Sequence, residues 1–236
     1  KVSVQLEAVD SNGLLPLRVT DKDYPTAYAF RRFLQKTLPG HLFDFPQQNP
    51  LKKVAIPDLG QLPEPLVQRW NSASTQLLAA GADSLAALPV DHNVAASEER
   101  GGWKEADFYL ERFLAERLPG YLQRSEPEKP LSSELSPYLH FGQISIHQIF
   151  FQLAEQECWS IGKLGPETKG KRSGWWGMSE AAESFLDELV TWREVGFNAA
   201  VHLPDYDRYK TLPLWAQDSL AKHRDDPRPY LYSFVG

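Results

Sequence analysis

The sequence predicts a mainly α-helical protein, preceded by a short α/β segment and a linker. Beyond residue 103, apolar side chains recur at the three- and four-residue spacing of helices. Prolines, glycines and polar loops divide this part into pieces of helical length. Strand-like alternation is confined to the first twenty residues. We therefore expect an α/β segment over 1–40, a linker with one or two helices over 41–100, and a helical domain over 101–236.

The first forty residues predict a strand, a turn and a helix. Residues 2–9 alternate between apolar and polar side chains, which indicates a strand. The tetrapeptide DSNG at 10–13 is a strong turn sequence, and 14–19 are expected to form a second short extended piece. Apolar residues at helical spacing predict a helix over 25–38, which the following Pro-Gly pair ends.

The remaining elements follow from the same signals. The proline-containing stretch 41–63 predicts a linker. Helices are predicted over 63–80, 103–118, 136–158, 179–201 and 213–223. Loops are predicted over 81–102, 124–133 and 160–178.

The composition limits the compartment and the partners. Of the 236 residues 42% are hydrophobic, which is enough for a sizeable core. The single cysteine, Cys158, excludes an internal disulfide and fits a reducing compartment, so we expect a cytoplasmic protein. No apolar run is long enough to span a membrane, so no membrane partner is expected. The net charge of −6 argues mildly against a general nucleic-acid binder but leaves room for a local basic patch.

A metal site is not expected. His140 and His147 are seven residues apart, which would place them on one face of the predicted helix. No third ligand follows at the spacing of a zinc site, and Cys158 is too far along the chain.

The most informative stretch is LSSELSPYLHFGQIS at 131–145. Ser136 followed by Pro137 indicates a helix start, with the serine as the cap and proline at the first helical position. A hydroxyl-rich loop that leads into a helix N-terminus can bind a phosphate group. The ordinary alternative is a capped helix without a ligand.

This stretch resembles the flavin-phosphate loop of the photolyase/cryptochrome family, most closely that of the class II cyclobutane pyrimidine dimer photolyases. The segments 101–130, 185–198 and 206–234 resemble, in the same order, the family's preceding helix, its F-L-x-E-L-x-x-x-R-E helix and the segment after it. The start resembles the end of the family's antenna-type α/β domain. The resemblance implies a fragment that lacks most of the antenna domain and the C-terminal part of the FAD-binding domain.

The resemblance implies FAD as cofactor and DNA containing pyrimidine dimers as partner. The implied reaction is light-dependent dimer repair by electron transfer from photoexcited reduced FAD, carried out by a deoxyribodipyrimidine photolyase, a carbon–carbon lyase acting as a monomer. The fragment alone is expected to be inactive. Two alternatives stay open: a cryptochrome-like blue-light photoreceptor without repair, and a non-catalytic remnant of the fold. The residues expected to contact FAD are Tyr121, Ser132, Ser133, Leu135, Ser136 and Arg193.

The resemblance also implies lesion and DNA contacts. Glu188 matches the family's acidic residue at the dimer, and Trp192 corresponds to a residue that stacks on the lesion in class I members. Class II members more often have arginine at the Trp192 position, so the chain departs there from the branch it most resembles. An amphipathic helix with a core tryptophan is the alternative. Arg124 matches an arginine at the DNA-facing rim, although its spacing from Tyr121 is one residue shorter than usual.

A basic loop offers a further DNA contact. The loop contains Lys169, Lys171 and Arg172 and ends in Trp175 and Trp176. Cations beside aromatic rings suit a clamp on the DNA backbone. The alternative is a solvated loop whose tryptophans pack on the core.

Overall fold

The computed structural model describes residues 9–230, apart from 48, 50, 56, 59, 80–85, 87 and 96. Within these ranges the chain is helical and contains no strand, which confirms the mainly α class. The α-helices are α1 (Ala27–Thr37), α2 (Glu64–Arg69), α3 (Thr75–Leu78), α4 (Trp103–Arg112), α5 (Ser136–His140), α6 (Ile146–Gln156), α7 (Glu180–Leu186), α8 (Arg193–His202) and α9 (Leu214–Lys222). Short 3-10 helices cover Leu17–Val19, Leu38–Gly40, Leu118–Gln123, Ile161–Lys163 and Tyr209–Thr211.

The strand predicted over 2–9 lies outside the described residues except for Val9, and the extended piece predicted over 14–19 is wrong. Leu17–Val19 form a 3-10 helix instead. Leu14 and Leu15 are buried, and the Leu14 N–H donates to the Glu194 carboxyl group at 2.6 Å. A side chain therefore satisfies the backbone group that a neighbouring strand would otherwise have to satisfy.

Two predicted helices are divided in the structure. The helix predicted over 63–80 becomes α2 and α3. The helix predicted over 136–158 becomes α5 and α6, because Gly142 adopts a φ of 65° that ends the first helix and Ser145 caps the second. His140 and His147 therefore lie on different helices, contrary to the prediction.

The capping role predicted for Ser136 is also wrong. Helix α5 begins at Ser136 itself, its flanking residue is Leu135, and no side chain caps it. Pro137 does occupy the first turn, as expected from its missing N–H and fixed φ.

Two long helical segments, here called the two rods, run over residues 103–123 and 180–202. Helix α4 continues through a π-helical turn, Phe113–Arg117, which ends within one residue of the predicted helix end. A 3-10 helix, Leu118–Gln123, with Pro119 in its first turn, stands where a simple turn was predicted. Helices α7 and α8 are joined by a second π-helical turn, Asp187–Trp192. Such turns are rare and often occur at functional sites.

The rods pack through aromatic side chains. Phe113 and Phe185 lie 4.6 Å apart between ring centroids, and Tyr121 meets Phe185 edge-on at 5.4 Å. The same core includes Phe30 from α1. Because the aromatic rings fix the two rods side by side, the 3-10 helix containing Tyr121 lies beside α7, and the π turn that contains Glu188 follows α7 directly.

Candidate functional site

Three of the predicted site residues come together across the two rods. Arg124 donates from Nη2 to Glu188 Oε1 at 2.7 Å and from Nη1 to Ser184 Oγ at 3.3 Å. Its guanidinium lies 4.5 Å from the ring centroid of Tyr121. Tyr121, Arg124 and Glu188, predicted for a cofactor contact, a DNA rim and a lesion contact, are therefore direct neighbours.

The members of this cluster differ in exposure. Tyr121 is buried, and this burial raises the pKa of its hydroxyl, so it stays protonated near neutral pH. The side chain of Glu188 is 39% exposed, and its ion pair with Arg124 is a surface pair. Such pairs contribute at most about 1 kcal/mol, so either partner can exchange its contact for one to a ligand at low cost.

Trp192 closes the π turn and is 50% exposed. The alternative of a core tryptophan is therefore wrong for this residue. A half-exposed indole four residues beyond Glu188 has a free face that can stack on a planar group.

A second pair of predicted residues lines a cavity of about 320 Å³. Ser136 and Arg193 line it together with Asn12, His140 and Phe197. The Arg193 guanidinium lies 4.7 Å from the Phe197 ring centroid and donates to the Asn12 carbonyl group. Partial burial lowers the pKa of the Arg193 guanidinium from its ordinary range. A hydroxyl and a guanidinium facing one cavity are suitable donors for a phosphate group.

The serine loop before α5 is shaped by a residue that the sequence analysis missed. Buried Arg117 donates to the Ser132 carbonyl at 3.0 Å and pairs with Glu134 at 2.8 Å. Ser132 is exposed, and the Ser133 hydroxyl accepts from the Leu135 N–H at 3.4 Å. The Leu135 side chain is buried in the core, so its side chain cannot contact a ligand directly.

A larger cavity, of about 460 Å³, borders the same loop but has different chemistry. Glu99, Glu134 and Arg100 line it beside Tyr138 and Phe141. None of the predicted cofactor residues lines it, and its two carboxylates oppose a phosphate. The cavity beside Arg193 is therefore the better candidate for an anionic cofactor.

The basic loop is docked on the protein rather than free. Arg172 pairs with buried Asp187 at 3.2 Å, and Lys169 pairs with exposed Glu167 at 2.8 Å. Lys171 is exposed. Trp175 and Trp176 are buried, as the alternative interpretation of this loop expected. The tryptophans are therefore unavailable to DNA, while the three cations remain at the surface.

Asp187, Arg31 and Glu194 were not singled out from the sequence. Arg31 binds Asp187 through Nε at 2.8 Å and Nη2 at 3.1 Å. Glu194 is buried; burial raises its pKa to about 8, and its Oε2 atom has no hydrogen-bond partner among the described residues. The only sequence signal was their place in helical patterns, which does not reveal a buried charge.

The chain is similar over its length to several photolyases. It is 30% identical to the deoxyribodipyrimidine photo-lyase of Arabidopsis thaliana over 98% of this chain and 42% of that protein. Identity to the Methanothermobacter thermautotrophicus protein of the same name is 28%, over 98% of this chain and 43% of the relative. Cryptochrome-1 of Sinapis alba is 40% identical over 27% of this chain. The chain thus spans about two fifths of the length of the photolyases it matches. No family model matches it.

The described part of the chain is helical, and the Arg193 guanidinium and the Ser136 hydroxyl line one cavity that is a candidate site for an anionic cofactor. With the similarity to named photolyases along nearly all of the chain, and to a cryptochrome over about a quarter of it, this class can be stated more closely. The chain belongs to the photolyase/cryptochrome family.

Proposed function

We propose that the chain is part of a flavoprotein that repairs cyclobutane pyrimidine dimers in DNA in a light-dependent reaction, as a deoxyribodipyrimidine photolyase. The observation that carries this proposal is the meeting of Arg124 and Glu188, 64 residues apart in sequence, as a half-exposed pair beside Tyr121. Together with half-exposed Trp192, these residues offer a hydrogen-bonding carboxylate, a cation and a stacking ring on one rod pair. A flipped lesion requires these groups.

The residues beside the second cavity fit the phosphates of FAD. Arg193 and Ser136 face this space with a fixed positive charge and a hydroxyl, while Ser132 and Ser133 lie in the preceding loop. When bound, reduced flavin supplies the photoexcited electron that opens the cyclobutane ring. The residues of this chain position the cofactor through its phosphates.

The proposed lesion contacts use the ion pair of Arg124 and Glu188, whose members can exchange each other for a ligand. On DNA binding, Arg124 would pair with a backbone phosphate, and this leaves the Glu188 carboxylate to accept hydrogen bonds from the dimerised bases. Trp192 would stack beside the lesion. The lysines and arginine of the basic loop would contact the backbone and fix the position of the duplex.

A cryptochrome-like photoreceptor is the second candidate, supported by the similarity to Cryptochrome-1 of Sinapis alba. A non-catalytic remnant is the third. One experiment separates them: the longer protein containing this chain is purified with FAD and incubated with a dimer-containing oligonucleotide in blue light and in the dark. Light-dependent loss of dimers supports photolyase. Flavin binding without dimer loss supports the photoreceptor, and no flavin binding supports the remnant.

A further inference from the structure

A surface groove on α1 combines cations and aromatic rings, and no function has been assigned to it. The groove has a volume of about 310 Å³. The residues lining it, here called the α1 groove, are Lys22, Tyr24, Tyr28, Ala29, Arg32, Phe33 and Lys36. It is separate from the cluster around Glu188 and from the cavity beside Arg193, since the three share no lining residue.

The aromatic part of the α1 groove is preorganised. Tyr24 and Phe33 are stacked with centroids 5.0 Å apart, and Lys22 lies 5.3 Å over the Tyr24 ring. Tyr28 is 57% exposed. An exposed ring held beside a fixed aromatic pair is a platform on which a planar base can stack, whatever its sequence.

The charge of the groove is opposite to that of the whole chain. The chain carries a net charge of −6, yet α1 has three cations and no acidic residue. Arg31 forms an ion pair with buried Asp187, whereas Arg32 and Lys36 are exposed. Asp21 and Asp23 flank Lys22, so the positive potential depends chiefly on Arg32 and Lys36.

The basic loop extends this positive surface. Gly170 and Lys171 are held against α1 by hydrogen bonds, with the Gly170 carbonyl accepting from Arg31 at 3.2 Å and the Lys171 carbonyl from Gln35 at 3.0 Å. A Cβ at Gly170 would lie 2.5 Å from Arg32 Cγ, so only glycine allows this approach. Lys171 is therefore held next to the α1 groove, and its charge adds to that of Arg32 and Lys36.

We propose that the α1 groove binds single-stranded nucleic acid, with phosphates on Arg32 and Lys36 and a base stacked on Tyr28. A single strand fits better than a duplex, because the aromatic platform requires a base that is free to leave its own stack. Several cations lining one groove favour a polymer over a mononucleotide, because a polymer offers a phosphate to each of them. This binding requires neither light, flavin nor a lesion, so it can fail or succeed independently of the repair reaction.

The test measures binding of a short fluorescein-labelled oligothymidine to the 236-residue chain in the dark, without flavin, by fluorescence anisotropy over a range of salt. Arg32→Gln with Lys36→Gln should weaken binding roughly tenfold and lower the slope of log affinity against log salt by about 1.4, at 0.7 per lost phosphate contact. Tyr28→Ala should weaken binding roughly tenfold and leave that slope unchanged, since a stacking contact releases no counterions.

The matched control is Lys52→Gln with Lys53→Gln, which makes the same change in net charge at exposed positions of the linker. It should leave the affinity unchanged. Equal losses in the two double variants would overturn the proposal. So would a change of Arg32 and Lys36 that weakens duplex binding more than single-strand binding. Preferential binding of oligoglutamate would assign the groove to an acidic protein partner and overturn it as well.

Discussion

At the scale of single residues, Glu194 shows how burial changes chemistry. Its carboxyl group accepts from the Leu14 N–H, and a Cβ on Gly13 would lie only 2.7 Å from Glu194 Cδ. Burial raises its pKa from 4.5 to about 8, so it is mostly protonated at neutral pH. A neutral acid thus holds the N-terminal segment on α8.

This burial predicts a loss of stability as pH rises. Below pH 4.5 Glu194 is protonated in both the folded and the unfolded chain; between 4.5 and about 8 only the unfolded chain releases the proton. Glu194→Gln should remove this dependence. The free energy of unfolding of the original chain should therefore fall relative to that of the variant, by a few kcal/mol between pH 5 and 9, in urea titrations. Exposed Glu155→Gln controls for net charge, and parallel curves for the original chain and Glu194→Gln would contradict the assignment.

Glu188 and Trp192 are expected to serve the lesion and not the fold. Glu188→Ala in the longer protein removes a partly exposed pair, so the melting temperature and flavin content should stay nearly unchanged while repair per absorbed photon falls. Trp192→Ala should weaken affinity for dimer-containing DNA by about 1–3 kcal/mol, the value of one base stack. Normal repair by both variants, or unfolding of both, would show that this turn is structural.

At the scale of elements, Arg117 holds the serine loop in place through the Ser132 carbonyl and the Glu134 carboxylate, and α5 follows the loop. Ser133→Ala with Ser136→Ala in the longer protein should reduce FAD retention, by roughly 1.5–3 kcal/mol for each charge-assisted hydrogen bond lost. The measurement is the flavin-to-protein absorbance ratio after gel filtration. Ser160→Ala, outside the loop, is the control, and full flavin occupancy in the double variant would reject the loop as the phosphate site.

The π turn between α7 and α8 depends on the buried ion pair of Arg31 and Asp187. Arg31→Leu leaves Asp187 with Arg172 as its remaining partner, and we expect a loss of about 3–5 kcal/mol in the free energy of unfolding. Lys169→Gln, which breaks an exposed pair with Glu167, should cost less than about 1 kcal/mol. The double variant Arg31→Leu with Asp187→Leu removes the buried charge as well, so it should be more stable than Arg31→Leu alone. If it is not, the buried Asp187 charge left without its partner is not the cause of the lost stability.

At the scale of the whole molecule, the cavity beside Arg193 is too small to enclose FAD. Pockets that bury most of a drug-sized ligand measure about 300–1,000 Å³, and FAD is larger than such ligands, whereas this cavity measures about 320 Å³. We predict that the 236-residue chain alone binds FAD weakly and purifies colourless. Titration with FAD, followed by flavin fluorescence, tests this. A yellow protein with one flavin per chain would contradict it.

The length and apolar character of the helices bear on whether the chain can cross a membrane. Among the described residues no helix combines the length and the apolar character needed to cross a bilayer. The cytoplasmic location and the monomeric state remain predictions, which gel filtration and fractionation of cells would test.

The sequence by itself determined the helical class, the position of most helices and the family, because these depend on local spacing and on motifs such as 131–145 that can be seen in the printed letters. It could not show that Gly142 divides one predicted helix or that a 3-10 helix stands at Pro119 in place of a simple turn, since packing overrides local preference at such points. Only the tertiary structure decided that Arg124 meets Glu188, that Ser136 and Arg193 share a cavity, and that Glu194 is a buried acid. Ion pairs, shared cavities and burial depend on residues that lie far apart in the chain, so no local sequence pattern predicts them.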